Sequence, residues 1–291
     1  MNLMNTKRPS RASVAYIYFK RAIRWRRNNW PYISGDCFAD LADYVYKPPR
    51  FRKRSGSLND AKVIFCRSHD LDELLQRYGD EINASVIITG NSDFEFHEKP
   101  LNVPESVKAF FLQNSFISDD TMYFSIPIGV EDFRLGVNGN PRYFKRNLRS
   151  AESVPKILLG PLSPTHPVRE VVHQRFPKSN DLVEVISERL QPRAYDLLSK
   201  RFIAVAAVRG NGIDTHRLWE SLYRGVSPIV QNDKWWISLN TLFPQVIAIS
   251  EWSTGEMELA LDIATKNYFN PAEIEALWMP YWEKRIQEFL I

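Results

Sequence analysis

Cysteine is scarce: Cys37 and Cys66 are the only two in 291 residues. Their spacing matches no zinc motif, and two are too few for a disulfide scaffold. Both sit among apolar neighbours and read as buried free thiols, which suits a reducing compartment. Long apolar runs are missing too. No stretch reaches the roughly 20 residues of a membrane-spanning helix. The run 14–19 is closed by Lys20-Arg21 and is too short for a signal-peptide core. A cytoplasmic location is therefore expected. Charge of one sign is not in large excess, at a net +4. No interleaved basic and aromatic RNA-binding signature occurs, so nucleic acid is not an expected partner.

Acid is absent from the first thirty residues, which carry Lys7, Arg8, Arg11, Lys20, Arg21, Arg24, Arg26 and Arg27. Residues 12–30 mix these charges with Val14, Tyr16, Ile17, Phe19, Ile23 and Trp25 at helical spacing. Such a helix can lie on an anionic membrane surface, or pack on its own domain with a solvated basic face.

What is present is core material. Hydrophobic residues are 44% of the chain and charged residues 25%, with eight tryptophans and seventeen phenylalanines. That balance belongs to a folded globular protein, and the length allows one large or two medium domains. Apolar runs at 62–66, 84–89, 107–113 and 123–128 read as buried strands, with helical patterns at 37–46 and 70–78. A polar, Asn- and Gly-bearing break at 136–153 interrupts the pattern. A second alternation follows. Strands are expected at 156–159, 182–186, 202–208, 227–230 and 246–250, and helices at 168–176, 193–200, 214–225 and 255–266. A final helix is expected over 271–290, bent at Pro280. Strands alternating with helices predict parallel sheets. The expected fold class is α/β, with two Rossmann-like doubly wound domains facing a cleft. Residues 1–145 would form the acceptor side and 146–291 the donor side.

The most informative stretch is Arg209-Gly-Asn-Gly-Ile-Asp-Thr-His-Arg-Leu-Trp-Glu220. Gly210 and Gly212 let the chain turn sharply and let a ligand approach the backbone, Asn211 included. Asp214 is placed to cap the helix, whose first N–H groups and partial positive charge suit a phosphate. Arg209, His216 and Arg217 add donors, and Glu220 is placed to accept from sugar hydroxyls. Together they describe a nucleotide-sugar pocket. A Gly-x-Gly before a helix is also a common tight βα turn, and the third glycine of a dinucleotide fingerprint is missing.

The longer run from Val208 to Val230 resembles the donor-binding segment of exostosin-like glycosyltransferases of the GT-B fold. In that family an Arg-Gly-rich turn leads into a helix bearing a glutamate, then into Pro-(Ile/Val)-Val, here Pro228-Ile-Val230. Ile33-Ser-Gly-Asp36, Ile88-Thr-Gly-Asn-Ser-Asp93 and Ile126-Pro-Ile-Gly129 look like stretches of bacterial relatives that build surface polysaccharide. The resemblance implies transfer of a sugar from a nucleotide-sugar donor to a glycan or lipid-linked acceptor. It implies that Glu220 holds the donor ribose and that Arg209 and the 210–214 backbone face the phosphates. In the GT-B arrangement positive side chains and a helix N-terminus can replace a metal, and the chain is read as lacking an Asp-x-Asp motif, so no metal and no cofactor beyond the nucleotide sugar is expected; a terminal helix is expected to cross back to the first domain.

A base for the acceptor hydroxyl is expected from the first half. Asp93 is the first candidate because it follows a buried strand, and Asp36 the second, in a Ser-Gly-Asp turn. Each is also a common turn or cap aspartate. His166 and Arg169, after the strand at 156–159, could reach donor phosphate or base. His69 and His97 read as incidental, Asp119-Asp120 as a solvated turn, and Trp235-Trp236 as packing near the cleft rim. Two other classes stay open: a non-catalytic nucleotide- or glycan-binding module, and an α/β regulatory protein that docks on lipid through residues 1–30.

Overall fold

The computed structural model describes residues 28–49, 56–117, 119, 121–136, 138–144, 148–149 and 152–290. The basic helix expected at 12–30 lies almost wholly outside the described residues, as does Asp120. Among the described residues no helix is long and apolar enough to cross a membrane.

The protein is α/β, with two five-stranded sheets whose strand pairs are all parallel. The first sheet holds β1 (Tyr44–Val45), β2 (Val63–Arg67), β3 (Val86–Gly90), β4 (Ala109–Gln113) and β5 (Tyr123–Ile126), in that spatial order. Alternate side chains go to opposite faces, as the pleat requires. Val63, Phe65, Ile88 and Phe111 join one apolar cluster, while Ile64, Cys66, Ile87 and Phe110 join another. Helix α1 (Gly35–Asp40) packs in the first cluster and α2 (Leu71–Tyr78) in the second.

Two expectations are corrected here. The helix expected at 37–46 ends at Asp40. The Asp43 carboxylate accepts from the backbone N–H groups of Lys62 (2.9 Å) and Val63 (3.0 Å), so residues 44–45 leave the helix and pair with β2. Among the described residues the first sheet is also not doubly wound. Its spatial order there follows the chain without reversal, and no α-helix is described between β3 and β4 or between β4 and β5.

The second sheet is doubly wound. It contains β6 (Val154–Leu159), β7 (Val183–Val185), β8 (Phe202–Ala206), β9 (Ser227–Gln231) and β10 (Ile247–Ile249), ordered β10-β9-β8-β6-β7. The chain builds outward from β6 to β7, then reverses and adds β8 on the other side. The switch point lies between β6 and β8, where open α/β sheets bind ligands beyond the carboxyl ends of their strands. The connecting helices are α3 (Pro167–Arg175), α4 (Pro192–Ser199), α5 (His216–Tyr223), the short α6 (Lys234–Ile237) and α7 (Thr254–Lys266).

The final helix differs from its expected form. Residues 271–277 make two short 3-10 turns, and α8 (Met279–Gln287) starts after Trp278. Pro280 lies in the first turn, where its missing N–H costs no helical bond, so it opens the helix instead of bending it. Helix α8 and the residues after it pack on the first sheet. The Trp282 ring meets Phe38 at 6.1 Å between centroids, and Phe289 meets Phe124 at 5.3 Å. One apolar cluster therefore contains Val63 and Phe111 of the first sheet, Trp219 and Tyr223 of α5, and Trp282 and Ile286 of α8.

Candidate functional site

A cavity of about 580 Å³ opens at the switch point of the second sheet. That volume lies in the range of small-molecule sites. Its floor comes from the loops after β6 (Pro161, Leu162, Ser163, Thr165) and β8 (Gly210, Asn211, Gly212) and from the start of α5. The loop after β7 adds Ser187, Arg189 and Leu190. The first half contributes Asp93, Ile128, Asn138 and Tyr143 from the opposite side. Gly160 makes the β6 turn possible. Its φ is +94°, and a Cβ there would stand 2.3 Å from the Ile186 carbonyl oxygen.

Four arginines line the cavity: Arg169, Arg189, Arg217 and Arg224. Only Arg224 has carboxylate partners among the described residues, Asp196 (2.9 Å) and Glu220 (3.2 Å). Arg169 rises from the first turn of α3 and braces both floor loops. Its Nε donates to the Arg209 carbonyl (2.7 Å), Nη1 to Ser163 (3.2 Å) and Nη2 to Val208 (3.1 Å). Of its five N–H donors two remain, one on each terminal nitrogen. Burial, and then the Arg217 charge, push its guanidinium down to about 10. It still carries its proton at neutral pH, so the wall holds a partly desolvated cation without a counter-ion. Arg217 gives one bond to the Pro161 carbonyl (3.0 Å) and lies over the Tyr195 ring at 5.5 Å. Arg189 is exposed. Among the described residues these three positive charges have no carboxylate partner, and with the helix N-terminus beside them they give the cavity a positive wall of the kind that suits an anion.

Glu220 sits about a turn into α5 and lines the cavity while only 8% exposed. Arg224 fixes its Oε2. Burial works to lower the Arg224 guanidinium, but the Glu220 and Asp196 charges hold it above its usual value. Asp196 in turn receives Lys200 Nζ (2.9 Å), which also donates to the Tyr143 carbonyl (3.2 Å).

The residues expected from sequence separate into three groups. Gly210, Asn211, Gly212, Arg169, Arg217, Glu220 and Asp93 line the cavity. Asp93 is exposed at its rim, in the loop after β3. Asp214 and His216 also line it, but their side chains are spent on the junction between the halves. Asp214 is not the helix cap expected; Thr215 occupies that position and makes no side-chain cap bond. The Asp214 carboxylate instead accepts from the Ile128 N–H (2.7 Å) and from Trp219 Nε1 (2.8 and 2.9 Å). Burial pushes this carboxyl up to about 7 against those bonds. His216 Nδ1 donates to the Gly129 carbonyl (2.8 Å), which fixes the proton on that nitrogen.

Arg209, His166 and Asp36 are not brought to the cavity wall. Arg209 turns away and pairs with Glu95 of the first half. The place expected for it beside the glycine turn is filled by Arg169, 40 positions earlier; a Cβ on Gly210 would meet Arg169 Nη2 at 3.0 Å. His166 caps α3, its Nδ1 accepting from the Val168 N–H (3.2 Å). Burial and then the Arg209 charge lower its pKa, so it is a neutral cap. Asp36 lies in the first turn of α1, paired with Arg134 (2.8 Å), and lines a separate cavity with Lys47 and Arg67. Trp235 and Trp236 are buried in the core.

The expected lack of an Asp-x-Asp motif is corrected: Asp70-Leu-Asp72 is one, and it lies away from the cavity. Asp70 is held by Arg67 (2.8 Å) and Lys47 (3.2 Å). Among the described residues no three His, Cys, Asp or Glu side chains gather closely enough to hold a metal ion.

Sequence reasoning missed Arg189, Tyr195, Asp196 and Arg224. The Glu220/Arg224 spacing of four on one helix was a legible signal for one pair. Nothing local marks the others. No protein-family model matches this chain, and a search of curated proteins returns no significant match.

Proposed function

We propose that the protein is a GT-B-type glycosyltransferase that takes a nucleoside-diphosphate sugar into the switch-point cavity. The observation that carries this reading is the trio Arg169, Arg189 and Arg217, without carboxylate partners, around the glycine turn and the α5 N-terminus. Two phosphates would replace the missing counter-ions. The Gly210-Asn-Gly212 backbone allows close approach, and Glu220 offers Oε1 to a ribose hydroxyl while Arg224 holds Oε2. As the glycosidic bond to the diphosphate breaks, negative charge grows on the leaving oxygen, and the arginines and helix N-terminus would stabilise it. Asp93, at the cavity rim, would take the acceptor's proton. The acceptor on this reading is a glycan or lipid-linked sugar entering from the first half.

Arg189→Ala tests the assignment cleanly, because the side chain is exposed and has no ion pair among the described residues. Loss of a charge-assisted phosphate bond costs about 1.5–3 kcal/mol, or about ten- to a hundredfold in Kd. Calorimetry with UDP, GDP and ADP reads it. If the wild type binds none of them, the nucleotide reading is wrong. If the protein binds a nucleotide sugar but never consumes it with any acceptor, it is a non-catalytic binding module.

A further inference from the structure

Asp93 is exposed, yet the loop that carries it is held on both sides. Asn114 follows β4, fully buried and in the left-handed region (φ +56°), which asparagine enters more readily than most residues with a side chain. Its amide joins the two halves. Nδ2 donates to the carbonyl of Ser92 (3.1 Å), one residue before Asp93. Oδ1 accepts from the backbone N–H of Asp214 (3.1 Å), where the glycine turn ends. An amide suits this place because one end donates while the other accepts. The Ser92 carbonyl takes a second bond from Gln113 Nε2 (2.9 Å), and Gln113 Oε1 accepts from the Asn91 N–H (3.0 Å). Beyond Asp93, Glu95 pairs with Arg209, which opens the turn, and the Phe96 N–H donates to the Asn114 carbonyl (3.1 Å). The two ends of the glycine turn, 209 and 214, therefore each hold one side of the Asp93 loop. Gly212 lies against the same amide: a Cβ there would stand 2.9 Å from Asn114 Nδ2. That glycine admits the asparagine of the first half, not only a ligand.

We propose that Asn114 and Arg209 are positioning residues for sugar transfer, tying the donor turn to the loop that carries Asp93 so that the carboxylate is set against the bound donor. This rests on the reading of Asp93 as the acceptor's base. A reacting group displaced by about 1 Å can cost about a hundredfold in rate. With either tie cut, Asp93 stays at the rim but is no longer held to one place. Neither Asn114 nor Arg209 lines the large cavity, so their loss should act on turnover and spare nucleotide binding.

Asn114→Gly keeps the left-handed backbone and removes both side-chain bonds, while Arg209→Ala cuts the other tie at a partly exposed site. Calorimetry with UDP, GDP and ADP reads binding. Release of nucleoside diphosphate from UDP-glucose, GDP-mannose and ADP-glucose, with water or free saccharides as acceptors, reads turnover. Asn114→Gly should lower kcat about ten- to a hundredfold. Arg209→Ala should lower it by a smaller factor, and both should keep nucleotide Kd within about threefold of the wild type. The deciding measurement repeats each change in an Asp93→Asn background. A residue that acts through Asp93 should there cost less than about threefold further, whereas one that only supports the fold should multiply with it. Should Asn114→Gly fail to fold, the Arg209→Ala cycle decides. Unchanged kcat in the single variants, or effects that multiply with Asp93→Asn, overturns this inference alone. Full turnover by Asp93→Asn overturns the base assignment and this inference with it. A wild type that consumes no nucleotide sugar with any acceptor overturns the parent reading and both.

Discussion

Arg224→Met removes the brace under the cavity while keeping the stem's bulk. The arginine is 3% exposed and holds two carboxylates, Asp196 at 2.9 Å and Glu220 at 3.2 Å. Asp196 keeps Lys200 after the change, at 2.9 Å. Glu220 keeps no cation among the described residues. Breaking a buried pair by deleting one partner costs about 3–5 kcal/mol, because the other charge stays desolvated. Domains are stable by about 5–15 kcal/mol, so this is a large share. At about 2–4 °C per kcal/mol for a chain of this class, the melting temperature should fall by on the order of 10 °C at pH 7. Thermal melts of both proteins at pH 7 measure it. A deficit under about 2 °C would refute the buried-network reasoning.

Three other outcomes follow from the geometry. Under the proposed function, Asp93→Asn should lower sugar transfer by about a hundredfold or more with nucleotide affinity intact, whereas Asp36→Asn should lower the melting temperature through its Arg134 pair and spare the chemical step; paired turnover and melting assays decide between them. Asp214→Asn should abolish a pH slope: the carboxyl titrates near 7 when folded, so its contribution is full below about pH 4 and gone above about 7, on the order of a few kcal/mol, and urea unfolding at pH 5 and 8 should show that slope only in the wild type. Arg209→Ala should change nucleotide affinity less than about threefold and cost about 1 kcal/mol through the lost Glu95 pair; a tenfold affinity loss in calorimetry would return Arg209 to the ligand site.

The readable part of the fold was the part written in contiguous residues. Runs such as Val86–Gly90 and Phe202–Ala206 are apolar throughout because a parallel strand is covered on both faces. The glycine turn and Glu220 were legible because turn, helix and carboxylate lie within twelve positions. Arg169 was credited only as a secondary donor. Its distance to the turn is set by strand order, and no local spacing records that β6 lies beside β8. Arg209 was overvalued for the converse reason: adjacency to the motif says nothing of which way a long side chain leaves the strand end. Asp214 looked like a cap because it precedes a helix. The Trp219 indole one turn later, and Ile128 from the other half, compete for its carboxylate and win. The first sheet's winding order could not be read, because its later strands are joined by loops without a helical period.

The apolar cluster that joins α8 to the first sheet has a consequence for the order of events during synthesis. Phe38 and Trp282 touch, yet lie 244 positions apart. Phe124 waits similarly for Phe289. Helix α1 covers part of this sheet face early, but the part under Phe124 and Phe111 gains Phe289 only once α8 has left the ribosome. Chains growing from the amino end usually complete an early unit before a later one is made. Here the early sheet must keep part of an apolar face open until the second sheet has been synthesised.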